Sequence, residues 1–73
     1  MPIQLNNTVA AEIRAEMARR RMTQQRLADL LGEQQWWVSK RLTRAIPLSI
    51  DDLDRIARAL DLPPSFFLSA VTS

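Results

Sequence analysis

The chain contains neither cysteine nor histidine. Without cysteine, no disulfide can staple the fold and no thiolate can hold a metal. Without histidine, the commonest general base and the commonest zinc ligand are both missing. Glycine occurs once, at position 32, so at most one or two turns are expected to rely on left-handed backbone. No apolar stretch approaches the ~20 residues that a membrane-spanning helix needs. The opening Met1-Pro2-Ile3-Gln4-Leu5 lacks the basic and apolar regions of a secretion signal. These absences disfavour an enzyme with histidine or cysteine chemistry, a secreted mini-protein, a zinc module and a membrane protein. A soluble intracellular protein with no metal and no cofactor is expected.

What is present fits one small domain. A chain of 73 residues buries about 60% of the surface its unfolded form exposes. Hydrophobic residues make up 47% and charged residues 25%, a globular rather than a disordered balance. The formal charge is only +2, and nine of the ten cations are arginine. That charge is unevenly placed. Between Arg19 and Arg44 lie seven cations and two anions, a net +5, whereas residues 49–73 carry two cations and four anions. One basic and one acidic half suggest a polyanion at one end of the molecule. The alternative is a solvated face, since arginine also ends helices favourably.

Helical periodicity runs through the whole chain. A first helix is predicted from about Thr8 to Arg21, where Val9, Ile13 and Met17 form one stripe. Asn7 or Thr8 would cap it, and Glu12 and Glu16 early with Arg19, Arg20 and Arg21 late suit the helix dipole. The second helix opens at Thr23, carries a narrow apolar face of Leu27, Ala28, Leu30 and Leu31, and stops at Gly32. The third, from about Gln34 to Leu42, has a thin apolar face. Val38 and Leu42 point inward, flanked by Arg41 and Trp37. A helix anchored by so few residues displays the rest. Ser49 would cap the fourth helix, with Asp52 three residues on, and Leu53, Ile56, Ala57 and Leu60 form its buried face. After Leu62-Pro63-Pro64 a last short helix holds Phe66 and Phe67. The expectation is an all-α, compact bundle of five short helices in a single domain over residues 1–73. Residues 1–7 form an N-terminal arm and 69–73 a frayed tail.

The segment from Thr23 to Leu42 holds a short helix, a glycine turn and a displayed helix, the order of a helix-turn-helix. Thr23-Gln24-Gln25-Arg26-Leu27-Ala28-Asp29-Leu30-Leu31-Gly32 resembles the T-Q-x-x-L-A-x-x-L-G opening of the phage repressor and Cro family, the XRE-type helix-turn-helix. Val38-Ser39-Lys40-Arg41-Leu42 is similar to its V-S-R-R-L recognition helix. Pro47 to Leu53 and Ile56 to Leu62 are similar to its P-x-x-L-D-x-L-x-x-I-A-x-A-L-G-V segment. The match spans roughly Ile13 to Leu68. The sequence departs from the pattern at Gln34, where Ser or Thr often caps, at Arg44 and Asp61, where glycine is common, and at the Trp36-Trp37 pair.

The resemblance implies a lambda-repressor-like DNA-binding domain whose third helix lies in the major groove of double-stranded operator DNA. It places Gln34, Gln35, Trp36, Ser39 and Lys40 at base edges. Gln35 suits a bidentate contact to adenine, and Lys40 suits guanine or a phosphate. It places Thr23, Gln24, Arg41, Thr43, Arg44 and Arg21 near phosphates, with Gln24 also bracing Gln35. It further implies dimers on DNA, for which Phe66, Phe67 and Leu68 are the candidate contact unless they only cover the core. The expected role is a non-enzymatic, sequence-specific transcriptional regulator of Cro or immunity-repressor type, in the cytoplasm of a bacterial host on its nucleoid, with no small-molecule substrate. The alternative is a protein-interaction module on the same fold, an antitoxin or an adaptor, which the paired tryptophans motivate.

Overall fold

The computed structural model describes residues 5–63 and 65–67, with side chains from residue 9 onward in that span. Four helices follow one another: α1 (Leu5–Arg19), α2 (Gln24–Leu31), α3 (Gln35–Leu42) and α4 (Ile50–Ala59). Residues 65–67 form a further short helical piece, and no strand occurs among the described residues. The all-α bundle expected from periodicity is the observed fold.

One cluster forms the core. Val9, Ile13 and Met17 come from α1, Leu27 and Ala28 from α2, Trp37, Val38 and Leu42 from α3, and Leu53, Ile56 and Ala57 from α4, with Leu60 and Phe67 beyond it. α2 packs against both α3 and α4, and α1 rests on α3. A helix of eight residues is only about 12 Å long and unstable alone. α2 and α3 are both this short, so packing fixes them. Arg14 of α1 adds a polar tie, its Nη1 donating to the Leu42 carbonyl at the end of α3 at 2.7 Å.

The local signals for α2 and α4 hold. Thr23 has extended backbone, and its side chain accepts the Arg26 amide at 3.0 Å. Ser49 and Asp52 form a complete capping box, with Ser49 Oγ accepting the Asp52 amide and Asp52 Oδ2 accepting the Ser49 amide. The start of α1 differs. It begins at Leu5, so Asn7 and Thr8 lie inside the helix rather than ahead of it. No glycine or proline interrupts residues 5–19, so the helix continues back past them. The proposed arm therefore loses residues 5–7, and residues 1–4 and the tail at 69–73 lie outside the described residues.

The glycine count misleads about the turns. Among the described residues, four take left-handed backbone: Arg21 (φ 52°), Gly32 (φ 71°), Arg44 (φ 68°) and Asp61 (φ 60°). Each follows one helix. After α1, the Met22 amide reaches the Met17 carbonyl at 2.8 Å and the Arg21 amide reaches Ala18 at 3.1 Å. The same crossed pair closes α2, through Glu33 to Ala28 and Gly32 to Asp29, and α4, through Leu62 to Ala57 and Asp61 to Arg58. This is the Schellman ending, which satisfies carbonyls that a helix terminus leaves unpaired. Met22 and Leu62 pack against the core just beyond. That burial holds an arginine and an aspartate in a conformation that favours glycine.

At Gly32 a Cβ would meet nothing within 4 Å, so conformation alone selects glycine there. Gly32→Ala is expected to cost about 1–2 kcal/mol of stability, the strain of a left-handed side-chain-bearing residue. Asp61→Gly is expected to gain up to about 1 kcal/mol, less the extra freedom of its unfolded chain. Urea melts of the two variants, moving in opposite directions, would check both.

Candidate nucleic-acid interface

The helix-turn-helix is built from the Thr23 cap, α2, residues 32–34 and α3. Gln34 stands at the start of α3 with extended backbone (φ −79°, ψ 154°), and its side chain makes no capping bond. That leaves the Gln34 side chain exposed, where Ser or Thr would have turned back on the helix.

The pose of α3 depends on Trp37, which is 7% exposed. The Arg41 guanidinium lies 3.8 Å from the centre of its ring, and that of Arg55 lies at 5.2 Å. Each arginine is anchored elsewhere. Arg41 Nε donates to Asp52 Oδ2 at 3.1 Å and its Nη1 to the Trp37 carbonyl at 3.2 Å. Arg55 Nη2 donates to the Leu31 carbonyl at 2.8 Å and to Glu33 Oε2 at 3.0 Å. α4 thus grips the end of α2, the turn and the middle of α3. Sequence reasoning missed Arg55 and Asp52 as supports. Arg55 and Glu33 are 22 positions apart, and no periodicity links residues so separated.

Burial pushes the Asp52 carboxyl up, but the Ser49 amide and the Arg41 guanidinium outweigh it and hold the group below its ordinary value. Glu16, a buried acid on α1, is likewise held low, chiefly by its hydrogen bond from Arg20, with Arg19 also bonded to it.

On the exposed side of α3, Gln35 Nε2 donates to Gln24 Oε1 at 2.7 Å. The bond joins the first residues of α2 and α3. It leaves Gln35 its oxygen and a second N–H, and it leaves the Gln24 amide nitrogen uncommitted. Trp36 is 55% exposed, Lys40 is exposed and Ser39 half-buried. Trp36, Ser39, Lys40 and Thr43 follow i, i+3, i+4, i+7 spacing and so share one face. The Thr43 hydroxyl donates back to the Ser39 carbonyl at 2.9 Å. Of the residues assigned to base edges from the sequence, Trp36, Ser39 and Lys40 therefore share one face, and Gln34 and Gln35 are exposed at the start of the same helix.

The cations divide into two groups. Arg14, Arg19, Arg20, Arg41, Arg55 and Arg58 all bond within the protein. Arg21, Arg26, Lys40 and Arg44 are exposed and, among the described residues, have no intramolecular partner. All four fall in the basic segment. Arg41 leaves the expected phosphate set, since its side chain is only 15% exposed and is paired with Asp52. The reason is its position, one turn after Trp37 and three residues after Val38, on the inward side of α3.

Of the proposed dimer patch, Phe67 is corrected. Phe67 is fully buried and closes the core. Phe66 is half-buried and meets Phe67 edge-to-face, with ring centres 5.2 Å apart. Leu68 lies outside the described residues. Among the described residues, the exposed large apolar side chains are Leu30, Trp36 and Ile50. Leu30 borders a shallow hollow between α2 and α4 with Leu31, Arg55, Arg58 and Ala59. No described helix is long and apolar enough to cross a membrane.

Among known proteins, the sequence model of the helix-turn-helix family matches residues 13–67. No curated protein and no solved structure matches the chain.

Because both lowered carboxyls bind protons more weakly folded than unfolded, they stabilise the fold above their ordinary values of 4.5 for glutamate and 3.8 for aspartate. That contribution is lost as pH falls through and below these values. Asp52→Asn should cost about 1–2 kcal/mol at pH 7, where Arg41 loses a charged acceptor. It should also flatten the fall in stability between pH 5 and pH 2 (about the range over which carboxylates titrate), as read from urea melts across that range. An unchanged acid slope would remove Asp52 from the account.

Proposed function

The chain belongs to the XRE-type helix-turn-helix family of DNA-binding transcription regulators, and from that premise we propose that it is a sequence-specific repressor of phage Cro or immunity-repressor type. The observation that carries the reading is the Gln24–Gln35 bond. An amide at the start of a displayed helix is already oriented, and its remaining oxygen and N–H form the pair that adenine N6/N7 recognises. Phosphate contacts fix register and orientation around it. Arg21, Arg26, Lys40 and Arg44, exposed and unpaired, supply that charge, with the Gln24 nitrogen and the Thr23 hydroxyl as neutral donors; Thr43 joins them only by releasing the Ser39 carbonyl to which its hydroxyl donates. Lys40 meets either guanine or a phosphate. Gln34 and Ser39 complete the surface that meets the base edges.

Repression then needs only occupancy. The protein makes and breaks no covalent bond, takes no cofactor and works in the cytoplasm on the host's DNA. One recognition helix reads a few base pairs, so the reading includes two copies on half-sites about one helical turn apart. A second reading, an antitoxin or adaptor on the same fold, is favoured by the exposed Trp36, since tryptophan is enriched at protein hot spots.

Selection of bound sequences from random duplex DNA tests the proposal. A symmetric consensus is expected. Gln35→Ala should lose preference at one position, worth about 1–3 kcal/mol. Arg44→Ala should weaken all sequences alike and lower the salt slope by about 1. Equal affinity for random and selected duplexes would sink the specificity claim, and no complex at low salt would favour the protein-interaction reading.

A further inference from the structure

We infer that Trp36 reads thymine. Its ring seats on the C5-methyl group of a thymine beside the adenine that Gln35 pairs with, so the two residues together select an A·T-containing step. This rests on α3 being the helix that enters the major groove.

The two adjacent tryptophans have opposite environments. Trp37 is 7% exposed and belongs to the core, while Trp36 is 55% exposed. The fold therefore gives Trp36 no packing role that explains so large an apolar side chain. It is the second residue of α3, next to Gln35 and one turn before Lys40. The N-terminal residues of a recognition helix are the ones that reach base edges.

An indole offers one N–H donor and no acceptor. It serves only one of the two groups that adenine presents, meets a donor with a donor at cytosine, and leaves guanine N7 and O6 half-served. The apolar feature of the major-groove edges is the thymine methyl. Covering it removes apolar surface of both partners from water. The surroundings also favour DNA over a protein partner. Along α3 the other exposed side chains are Gln35 and Lys40, polar or cationic, and no second exposed apolar residue of that helix widens the patch. The core of a protein interface is poor in charge and rich in apolar neighbours.

Deoxyuridine removes the methyl group and leaves the pairing edge intact, so it isolates this contact. The probes are duplexes selected by the full chain from random DNA, with each thymine replaced in turn by deoxyuridine. The native protein should lose about fourfold in affinity at one position of each half-site, which corresponds to ~0.8 kcal/mol for one methyl-sized group. Trp36→Ala should bind the thymine and deoxyuridine duplexes equally, and Trp36→Phe should keep part of the difference. Circular dichroism melts confirm that both variants fold. A consensus that tolerates deoxyuridine everywhere overturns the inference and leaves DNA binding intact. An undiminished deoxyuridine penalty in Trp36→Ala does the same. Failure to select any consensus overturns the inference together with the specific-binding reading.

Discussion

The ring of Trp37 is the point on which the arrangement of this protein turns. α3 is eight residues long and buries little else than Trp37, Val38 and Leu42. Helices this short have no stability of their own. Apolar area alone leaves α3 free to rock about its narrow stripe. The two arginines over Trp37 prevent that, because each ends on a different part of the molecule. Arg41 reaches the capping box that starts α4, and Arg55 reaches the last carbonyl of α2 and the acid in the turn. A cation over an indole is worth about 0.5–2 kcal/mol, and a hydrogen bond to a charged group about 1.5–3. In a domain whose whole stability is of the order of 5–10 kcal/mol, such terms decide the angle of a helix.

Much of this was legible in the sequence, and the division follows the range of each interaction. Thr23, Gly32 and Ser49 act within four residues of themselves, so their roles as caps read directly from composition and spacing. The core stripes read from periodicity in the same way. The left-handed ends at Arg21, Arg44 and Asp61 are written in backbone hydrogen bonds and in the burial of the residue beyond, not in the side chain at the turn. Counting glycines therefore found one of four. Arg41 and Arg44 are chemically the same and three residues apart, yet one is inward and paired while the other is exposed and unpaired. Helix phase separates them. Arg41 follows Trp37 by one turn, and Arg44 lies past the end of α3.

That sorting changes what the charge means. A formal +2 is too small to attract a polyanion strongly. Six arginines are spent on carboxylates, on helix-end carbonyls or on both. Paired with an acid, a cation contributes a short-ranged dipole rather than a monopole. The remaining cations, Arg21, Arg26, Lys40 and Arg44, are the ones whose field extends into solvent, and at physiological salt that field persists over about 8 Å. The long-range potential of the molecule therefore follows four residues, all within a basic segment, more closely than it follows the total.

The Gln24–Gln35 bond then connects charge to recognition. A glutamine side chain fixed on binding forfeits about 0.5–1.5 kcal/mol of freedom, a large part of the 1–3 kcal/mol that a bidentate base contact returns. Gln24 meets that cost in the free protein by holding Gln35 at 2.7 Å. It also keeps a nitrogen free to face the backbone of a duplex. On the proposed reading, the residue placed near a phosphate is also the residue that orients the base reader. In that proposal nonspecific attraction and sequence discrimination meet in one amide, so loosening it is expected to act on both. The placement of that amide pair in turn depends on the angle between α2 and α3, which Arg55 of α4 ties through the Leu31 carbonyl and Glu33.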